Sequence, residues 1–224
     1  MITCLNLISG CIACVMALDN SYLWAFIFII IAALFDFFDG FVARLLKAYS
    51  NIGKELDSLA DVVSFGVAPS MIIFVFLRNT IHDCRIMSLL AYMAFLIPVF
   101  SALRLAKFNV DKRQTTSFIG LPTPADALFW GALIYQLSSL NLNPSYLIIG
   151  VITGVLLFSY LMISEIPMFS LKFKNYRWKG NETRYILMLA AVFLLLFFGT
   201  LGISLTVVIY ILMSFIFCSI VKKT

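Results

Sequence analysis

The sequence predicts an all-α integral membrane protein with about eight transmembrane helices. The chain is 62% hydrophobic and only 12% charged, with a mean hydropathy of +1.04, which is typical of membrane proteins and not of soluble domains. Apolar stretches near the length of about 20 residues that spans a bilayer recur from end to end. They lie at about 4–18, 21–46, 56–77, 87–106, 125–140, 145–163, 185–199 and 202–221. No low-complexity linker interrupts them, so we expect a single membrane domain over 1–224.

Each stretch has its own local features. The first lacks the charged region and cleavage site of a signal peptide, so we expect a retained helix. Its Cys11-x-x-Cys14 pair has no second pair nearby, and we interpret both cysteines as packing residues. The second and third stretches carry four aspartates, and the fourth ends in basic residues. A Gly-Leu-Pro-Thr-Pro sequence at 120–124 precedes the fifth, and Glu165 closes the sixth. The last two are rich in phenylalanine, and we expect them to pack, to contact lipid or to form a dimer surface.

The basic residues predict the orientation. If the N-terminus is cytoplasmic, fourteen of the sixteen Lys and Arg residues fall on the cytoplasmic side and only Arg78 and Arg85 fall outside. This positive-inside pattern supports an even number of helices with both termini in the cytoplasm. The net charge of +5 therefore reflects topology and attraction to anionic lipid, and it does not indicate a nucleic-acid partner.

Four aspartates at fixed spacing mark the candidate site, where residues 36–61 read Asp36-x2-Asp39-Gly40-x2-Ala43-Arg44-x8-Gly53-x3-Asp57-x3-Asp61. Asp36 and Asp39 share one helix face, and Asp57 and Asp61 share a face of the next helix. A carboxylate at membrane depth costs about 2.5–3.5 kcal/mol unless it has a partner. Two facing acidic stripes therefore predict an all-oxygen pocket for Mg²⁺ or Mn²⁺ at the cytoplasmic ends of these helices.

The neighbouring residues limit the chemistry. Small residues in the motif let a bulky ligand approach the helix backbone, and Arg44 could neutralise phosphate oxygens or serve as a positive-inside anchor. No Ser or Cys with an obvious base stands near the motif, and the single histidine, His82, falls on the opposite membrane side. A covalent phosphohistidine route is therefore excluded. We expect a substrate hydroxyl to attack the phosphate group directly. Asp61 is the expected base, because it lies furthest from Arg44 along the acidic stripe.

The eight specified positions of this motif resemble the CDP-alcohol phosphotransferase family throughout. The resemblance implies a six-helix catalytic core over about residues 3–165, with two extra helices at about 185–221. It implies two bound Mg²⁺ or Mn²⁺ ions, with the fourth aspartate as the base. It also implies a metal set of Asp36, Asp39, Asp57 and Asp61, and CDP-diacylglycerol contacts from Thr3, Asn6, Asp36, Gly40, Ala43, Arg44, Gly53 and Asp57.

Three further stretches resemble the serine-using branch of that family, the CDP-diacylglycerol–serine O-phosphatidyltransferases. They are 56–69, 104–110 and 118–124. Serine carries a carboxylate that suits an Arg or Lys partner, so Arg104, Lys107 and Asn109 are candidate serine-binding residues. Arg104 and Lys107 could instead only mark a cytoplasmic helix end. Glycerol-3-phosphate or inositol phosphate stays open as the acceptor, because Lys112, Arg113 and Lys172 could bind a second phosphate.

The resemblance implies an enzyme of the cytoplasmic (inner) cell membrane whose active site faces the cytoplasm. The expected substrates are CDP-diacylglycerol and L-serine, and the products are phosphatidylserine and CMP; we also expect a homodimer. The rival from another class is a cation transporter, because intramembrane carboxylates also relay cations. Transporters commonly contain internal repeats, and the two halves of this chain have no evident similarity.

Overall fold

The computed structural model describes residues 2–46, 50–81, 87–110, 118–140, 142–169, 178 and 181–221. These residues are almost entirely helical, which confirms the predicted all-α fold. The helices are α1 (Ile2–Leu18), α2 (Tyr22–Leu46), α3 (Asn51–Asp61), a π-helical segment (Val62–Val67), α4 (Ala68–Thr80), a 3₁₀ segment (Met87–Phe95), α5 (Leu96–Val110), α6 (Thr123–Ser138), α7 (Pro144–Ile163), α8 (Glu182–Phe198) and α9 (Leu201–Val221). Two-residue strands β1 (Phe118–Ile119) and β2 (Pro167–Met168) complete the described elements.

Four described helical runs are long and apolar enough to cross a membrane, so the chain is a multi-pass membrane protein. They are Tyr22–Leu46, Ile52–Thr80, Ser88–Val110 and Pro144–Ile163. Two shorter apolar helical runs accompany them: Ile2–Leu18, which is α1, and Leu201–Ile216, which is part of α9. The predicted apolar stretches coincide with helices in every case, whereas the count of eight complete spans stays a prediction.

Small residues bring α1 against its neighbours. Helix α1 packs on α2, α3, α4 and the π-helical segment. Its buried face includes Gly10, Ala13 and Ala17 at helical spacing, and such residues let helix backbones approach closely in membranes. A Cβ atom on Gly10 would lie only 2.7 Å from the backbone Cα atom of Ser64. The contact between α1 and the π-helical segment therefore requires glycine at this position.

The third apolar stretch forms one continuous helical run whose hydrogen-bonding pattern changes in the middle. Ser50 caps the start of α3, where its hydroxyl accepts a hydrogen bond from the Gly53 N–H at 3.0 Å. The π-helical segment begins directly after Asp61, and at its end the Ala68 N–H bonds to the Val63 carbonyl, five residues back. A π-helical turn of this kind is rare and is often found at functional sites.

A short antiparallel ribbon ties the start of α6 to the end of α7. Phe118 pairs with Met168 and Ile119 with Pro167. Gly120 then adopts a φ of +77°, and its N–H donates to the Ile166 carbonyl at 2.9 Å. A side chain at Gly120 would be strained in this conformation and would meet the backbone of α7. The Gly-Leu-Pro-Thr-Pro sequence at 120–124 therefore fixes the entry of α6.

Candidate active site

Three of the four motif aspartates converge. Asp36 comes from α2, and Asp57 and Asp61 come from α3. One carboxylate oxygen of each lies within 4.8 Å of the oxygens of the other two. Asp61 is the most buried, with 8% of its surface exposed, and the other two are partly buried. The predicted pair of facing acidic stripes is thus present for these three residues.

The remaining motif aspartate, Asp39, lies outside this triad and is hydrogen-bonded to the N-terminal helix. Its carboxylate accepts a hydrogen bond of 2.5 Å from the Thr3 hydroxyl. Thr3 is itself buried at the start of α1. The sequence motif gave Asp39 the same metal-binding role as the other acids; the structure places it next to the triad along α2, with Thr3 as its partner.

Asn6 connects α1 to the most buried acid. Its Nδ2 atom donates to Oδ1 of Asp61 at 3.1 Å, and the side chain is fully buried. The Ser64 hydroxyl, in the π-helical segment, donates to the Asn6 backbone carbonyl at 3.0 Å. One contact joins α1 to α3 and the other joins α1 to the π-helical segment. Together they fix the position of Asn6 and orient the Asp61 carboxylate.

The small residues and the arginine of the motif lie on the open side of α2 and α3. A Cβ atom on Gly40 would meet nothing within 4 Å, so space is free above the helix backbone there. The Arg44 Nε atom donates to the Gly40 carbonyl at 2.8 Å, and the side chain is exposed. Ala43 is half-buried on the same helix. Gly53 has a local structural role, because its N–H binds the Ser50 cap.

The three candidate serine-binding residues of α5 have different surroundings. Arg104 is buried, interacts electrostatically with Asp61, and has an Nε atom without a hydrogen-bond partner among the described residues. Lys107 instead forms an exposed ion pair with Glu165 at 3.5 Å. Asn109 donates to the Ser58 hydroxyl at 2.9 Å. Of the three, Arg104 therefore interacts with the acidic cluster, whereas Lys107 and Asn109 are bound to other neighbouring side chains.

Comparison with known proteins identifies the family. The family model described as CDP-alcohol phosphatidyltransferase matches residues 1–157 of this chain. The chain belongs to this family. It is 39% identical over 166 residues to a Bacillus subtilis protein named CDP-diacylglycerol–serine O-phosphatidyltransferase, covering 74% of this chain and 86% of that one. Proteins of the same name from Methanocaldococcus jannaschii (34% identity; 74% and 73% covered) and Helicobacter pylori 26695 (30%; 88% and 80%) are also similar.

The acidic triad of this CDP-alcohol phosphatidyltransferase family member fits a divalent cation. Mg²⁺ binds oxygen ligands at about 2.0–2.1 Å, so ligands on opposite sides of one ion are about 4 Å apart. The three carboxylate oxygens lie within 4.8 Å of one another and need only small side-chain shifts to share an ion. Without a cation, three partly or fully buried carboxylates at this distance would repel each other.

Several buried residues have no counterpart in the sequence predictions. Ser64 contacts Asn6 from the π-helical segment, and Tyr210 is buried on α9, where its hydroxyl donates to the Phe169 carbonyl; the acidic motif includes neither element. Asp126, in the first turn of α6, is fully buried and has two carboxylate oxygens without partners among the described residues. An acid inside an apolar stretch is the signal that could have marked Asp126; Tyr210 had no such signal because aromatic residues are common throughout the chain.

Some predictions concern residues outside the described part of the chain. They include His82 and most of the additional basic residues, among them Lys47, Lys112, Arg113 and Lys172. The proposed second phosphate contacts and part of the cytoplasmic positive charge therefore stay predictions. Cys11 and Cys14 are described and are free thiols.

Proposed function

We propose that this protein transfers the phosphatidyl group from CDP-diacylglycerol to the hydroxyl of L-serine, giving phosphatidylserine and CMP. The observation that carries the proposal is the triad of Asp36, Asp57 and Asp61 with the buried Arg104 beside Asp61. This arrangement combines a site for a metal-bound diphosphate with a cation that can bind an acceptor carboxylate. The names of the relatives agree with this substrate pair.

Two Mg²⁺ or Mn²⁺ ions are the proposed cofactors, held by Asp36, Asp39, Asp57 and Asp61. When bound, such ions neutralise the diphosphate and stabilise the charge that develops on its leaving oxygen. Asp39 would contribute from the side of the triad, and Thr3 would orient it through their 2.5 Å hydrogen bond. Thr3 thereby links the N-terminus of α1 to the metal-binding residues.

Asp61 is the proposed general base. The serine hydroxyl oxygen attacks the phosphorus atom of the phosphatidyl group, and its proton passes to the Asp61 carboxylate. The bond from that phosphorus to the oxygen bridging the two phosphates breaks, and CMP leaves with the bridging oxygen. Asn6 supports this role because its 3.1 Å hydrogen bond fixes one carboxylate oxygen and leaves the other for the proton.

The nucleotide lipid is proposed to lie along the open side of α2 and α3. Gly40 and Ala43 would allow its phosphates and cytidine to approach the backbone, and Arg44 would neutralise a phosphate oxygen. Thr3, Asn6 and Gly53 complete the proposed contacts, with Asp36 and Asp57 acting through the ions. The open space above Gly40 supports this position.

Arg104 is the proposed partner of the serine carboxylate. A buried guanidinium with an unpaired Nε atom can form two parallel hydrogen bonds with a carboxylate. Lys107 and Asn109 would have a secondary role, since Glu165 and Ser58 already bind them. Serine would then enter between α5 and the acidic triad.

The proposed location is the cytoplasmic (inner) cell membrane, with the active site and both termini on the cytoplasmic side. The distribution of basic residues in the sequence supports this orientation. The proposed organisation is a single domain with a catalytic core over about 3–165 and extra helices at about 185–221. The proposed assembly is a homodimer; the large apolar side chains that α8 exposes, such as Leu189, Leu196 and Phe197, are available for contact with lipid or a second copy.

The decisive experiment measures the acceptor. Purified protein in detergent, with CDP-diacylglycerol and Mg²⁺ or Mn²⁺, should release CMP and form phosphatidylserine when L-serine is added. Glycerol-3-phosphate and inositol phosphate, supplied at the same concentration, serve as competing acceptors. Turnover with either of these in place of serine would overturn the headgroup assignment. Protein that releases no CMP with any acceptor, but moves cations across vesicle membranes, would favour the transporter alternative.

A further inference from the structure

Three hydrogen bonds join the end of α5 to α3. The Lys54 Nζ atom donates to the Asn109 backbone carbonyl at 3.3 Å, and the Asn109 Nδ2 atom donates to the Ser58 hydroxyl at 2.9 Å. The Ser58 hydroxyl donates in turn to the Lys54 carbonyl at 3.2 Å, one turn back along α3. We call Lys54, Ser58 and Asn109 the clasp. Because Asn109 lies in the last turn of α5, where carbonyls lack partners in their own helix, Lys54 supplies a donor from the neighbouring helix.

A second contact joins α5 to the π-helical segment that follows α3. A Cβ atom on Gly66 would lie 3.1 Å from the Pro98 Cα atom and 3.2 Å from the Ser101 Cβ atom. The absence of a side chain at Gly66 therefore lets α5 lie close to this segment. Helix α5 is thus attached at two points to the helical run that carries Asp57 and Asp61.

The two contacts determine the level of Arg104 relative to Asp61. The clasp and the Gly66 contact are eight residues apart on both helical runs, at 58–66 and 101–109. Since a helix rises about 1.5 Å per residue, both intervals are about 12 Å long, and the two runs lie antiparallel. Asp61 is three residues from the clasp on α3, and Arg104 is five residues from it on α5. The difference of two residues places their backbones within about 3 Å of the same level along the helix axes.

The proposed acceptor makes this level important. Only two carbon atoms separate the carboxylate of serine from its hydroxyl oxygen, so Arg104 and the proposed base Asp61 have to be held at a matching separation. Arg104 is buried, and its Nε atom has no hydrogen-bond partner among the described residues. The position of its guanidinium therefore follows the position of α5. A displacement of about 1 Å between reacting groups can lower a rate by about 100-fold.

We propose that the clasp is a positioning device that holds Arg104 level with Asp61, and that Asn109 acts through Ser58 without touching the substrate. The inference rests on the proposed serine-using function. It adds Lys54 and Ser58 to the residues on which acceptor binding depends. It also explains why Asn109, a candidate serine-binding residue in the sequence, uses its side-chain amide on α3.

The test removes the hydrogen bonds of the clasp one at a time. Ser58→Ala removes the acceptor of the Asn109 side chain, and Lys54→Met removes the donor to the Asn109 carbonyl. Each variant should raise the KM for L-serine about two- to tenfold, the factor that corresponds to one net hydrogen bond. The KM for CDP-diacylglycerol should stay within about twofold. Ser58→Thr and Lys54→Arg keep the hydroxyl and the cationic donor, and both should behave like the wild-type protein.

Three comparisons separate positioning from a general structural effect and from direct contact with serine. Serinol, in which a hydroxymethyl group replaces the carboxylate of serine, does not need Arg104, so its inhibition constant against serine should stay within about twofold in Ser58→Ala. Ser138→Ala is the matched control, because this exposed hydroxyl donates within α6, to the Tyr135 carbonyl at 2.7 Å, and its loss should not change the KM for serine. Asn109→Ala should match Ser58→Ala, and the double variant should show no further rise.

Three results would overturn the inference. They are an unchanged KM for serine in both Ser58→Ala and Lys54→Met, an equal weakening of serine and serinol, and a further rise when Asn109→Ala is added to Ser58→Ala. The last result would make Asn109 a direct contact of the substrate. Each of these leaves the proposed function intact. Failure of the wild-type protein to use serine would overturn the proposed function, and the inference with it, and is detected in the same assay before any variant is made.

Discussion

Asp61→Asn tests the proposed catalytic base. The substitution preserves the shape of the side chain and the oxygen that accepts the 3.1 Å hydrogen bond from Asn6. It removes the negative charge and the ability to take a proton. One of three carboxylates within 4.8 Å of each other also becomes neutral, so repulsion in the metal-free protein decreases. We therefore expect a folded protein with unchanged or higher thermal stability.

The expected loss of activity follows from the role of a base. General acid–base catalysis contributes about 10²–10⁴-fold, which corresponds to about 2.7–5.5 kcal/mol of activation free energy. The kcat of Asp61→Asn should fall by this factor. The affinity for CDP-diacylglycerol should change much less, because Asp36 and Asp57 still carry two of the three charges of the triad.

The assay is CMP release at saturating CDP-diacylglycerol and serine, together with equilibrium binding of CDP-diacylglycerol at fixed Mg²⁺. Asp126→Asn is a matched control, since it neutralises another buried carboxylate on α6 outside the proposed site, and it should keep near wild-type kcat. A wild-type kcat in Asp61→Asn would refute the role of Asp61 as the base. Loss of CDP-diacylglycerol binding along with the chemistry would instead make Asp61 chiefly a metal ligand.

Three further predictions address the metal site, the acceptor site and the packing of the helices. Excess EDTA should abolish CMP release and added Mg²⁺ or Mn²⁺ should restore it, while Asp57→Asn should stay folded but inactive; full activity in EDTA would exclude the proposed ions. Arg104→Ala should raise the KM for serine strongly with little change for CDP-diacylglycerol, and Arg104→Lys should recover it only in part because an ammonium lacks the planar fork; an unchanged KM for serine would remove Arg104 from the acceptor site. Gly10→Ala should destabilise the protein by about 1–3 kcal/mol in thermal unfolding, because its Cβ atom would lie 2.7 Å from the Ser64 Cα atom. Gly150→Ala on α7, where a Cβ atom meets nothing within 4 Å, is the control; equal stability of the two variants would contradict the close contact.

The sequence predicted the helices well because their signal is strong and local. Runs of apolar residues identified every helix to within a few positions, and the spacing of the aspartates placed Asp36, Asp57 and Asp61 on facing helices. The ribbon of β1 and β2 was not predicted, since a strand of two residues has no periodicity to detect. The π-helical segment was missed for a related reason, because one altered turn leaves the apolar run continuous.

The partners of individual side chains were less predictable than their positions. The motif treated Asp39 as equivalent to the other acids, and its 2.5 Å hydrogen bond with Thr3 depends on how α1 docks against α2. Arg104 and Lys107 are three positions apart and similar in charge, yet one is buried and the other pairs with Glu165 at the surface. Such differences arise from contacts between residues that are far apart in the sequence, and the sequence alone does not reveal these contacts.

The π-helical segment after Asp61 affects how the sequence of this membrane span can change in evolution. A turn closed five residues back accommodates one residue more than an α-helical turn, so α4 is rotated by about 100° from the direction that an uninterrupted helix would give it. The acid-bearing face of α3 and the apolar packing face of α4 are therefore set by two separate registers. Substitutions that repack α4 against α1 and α6 can therefore accumulate in evolution while the aspartates of α3 keep their orientation. Deletion of one residue between 62 and 67 would bring α3 and α4 back into a common helical register.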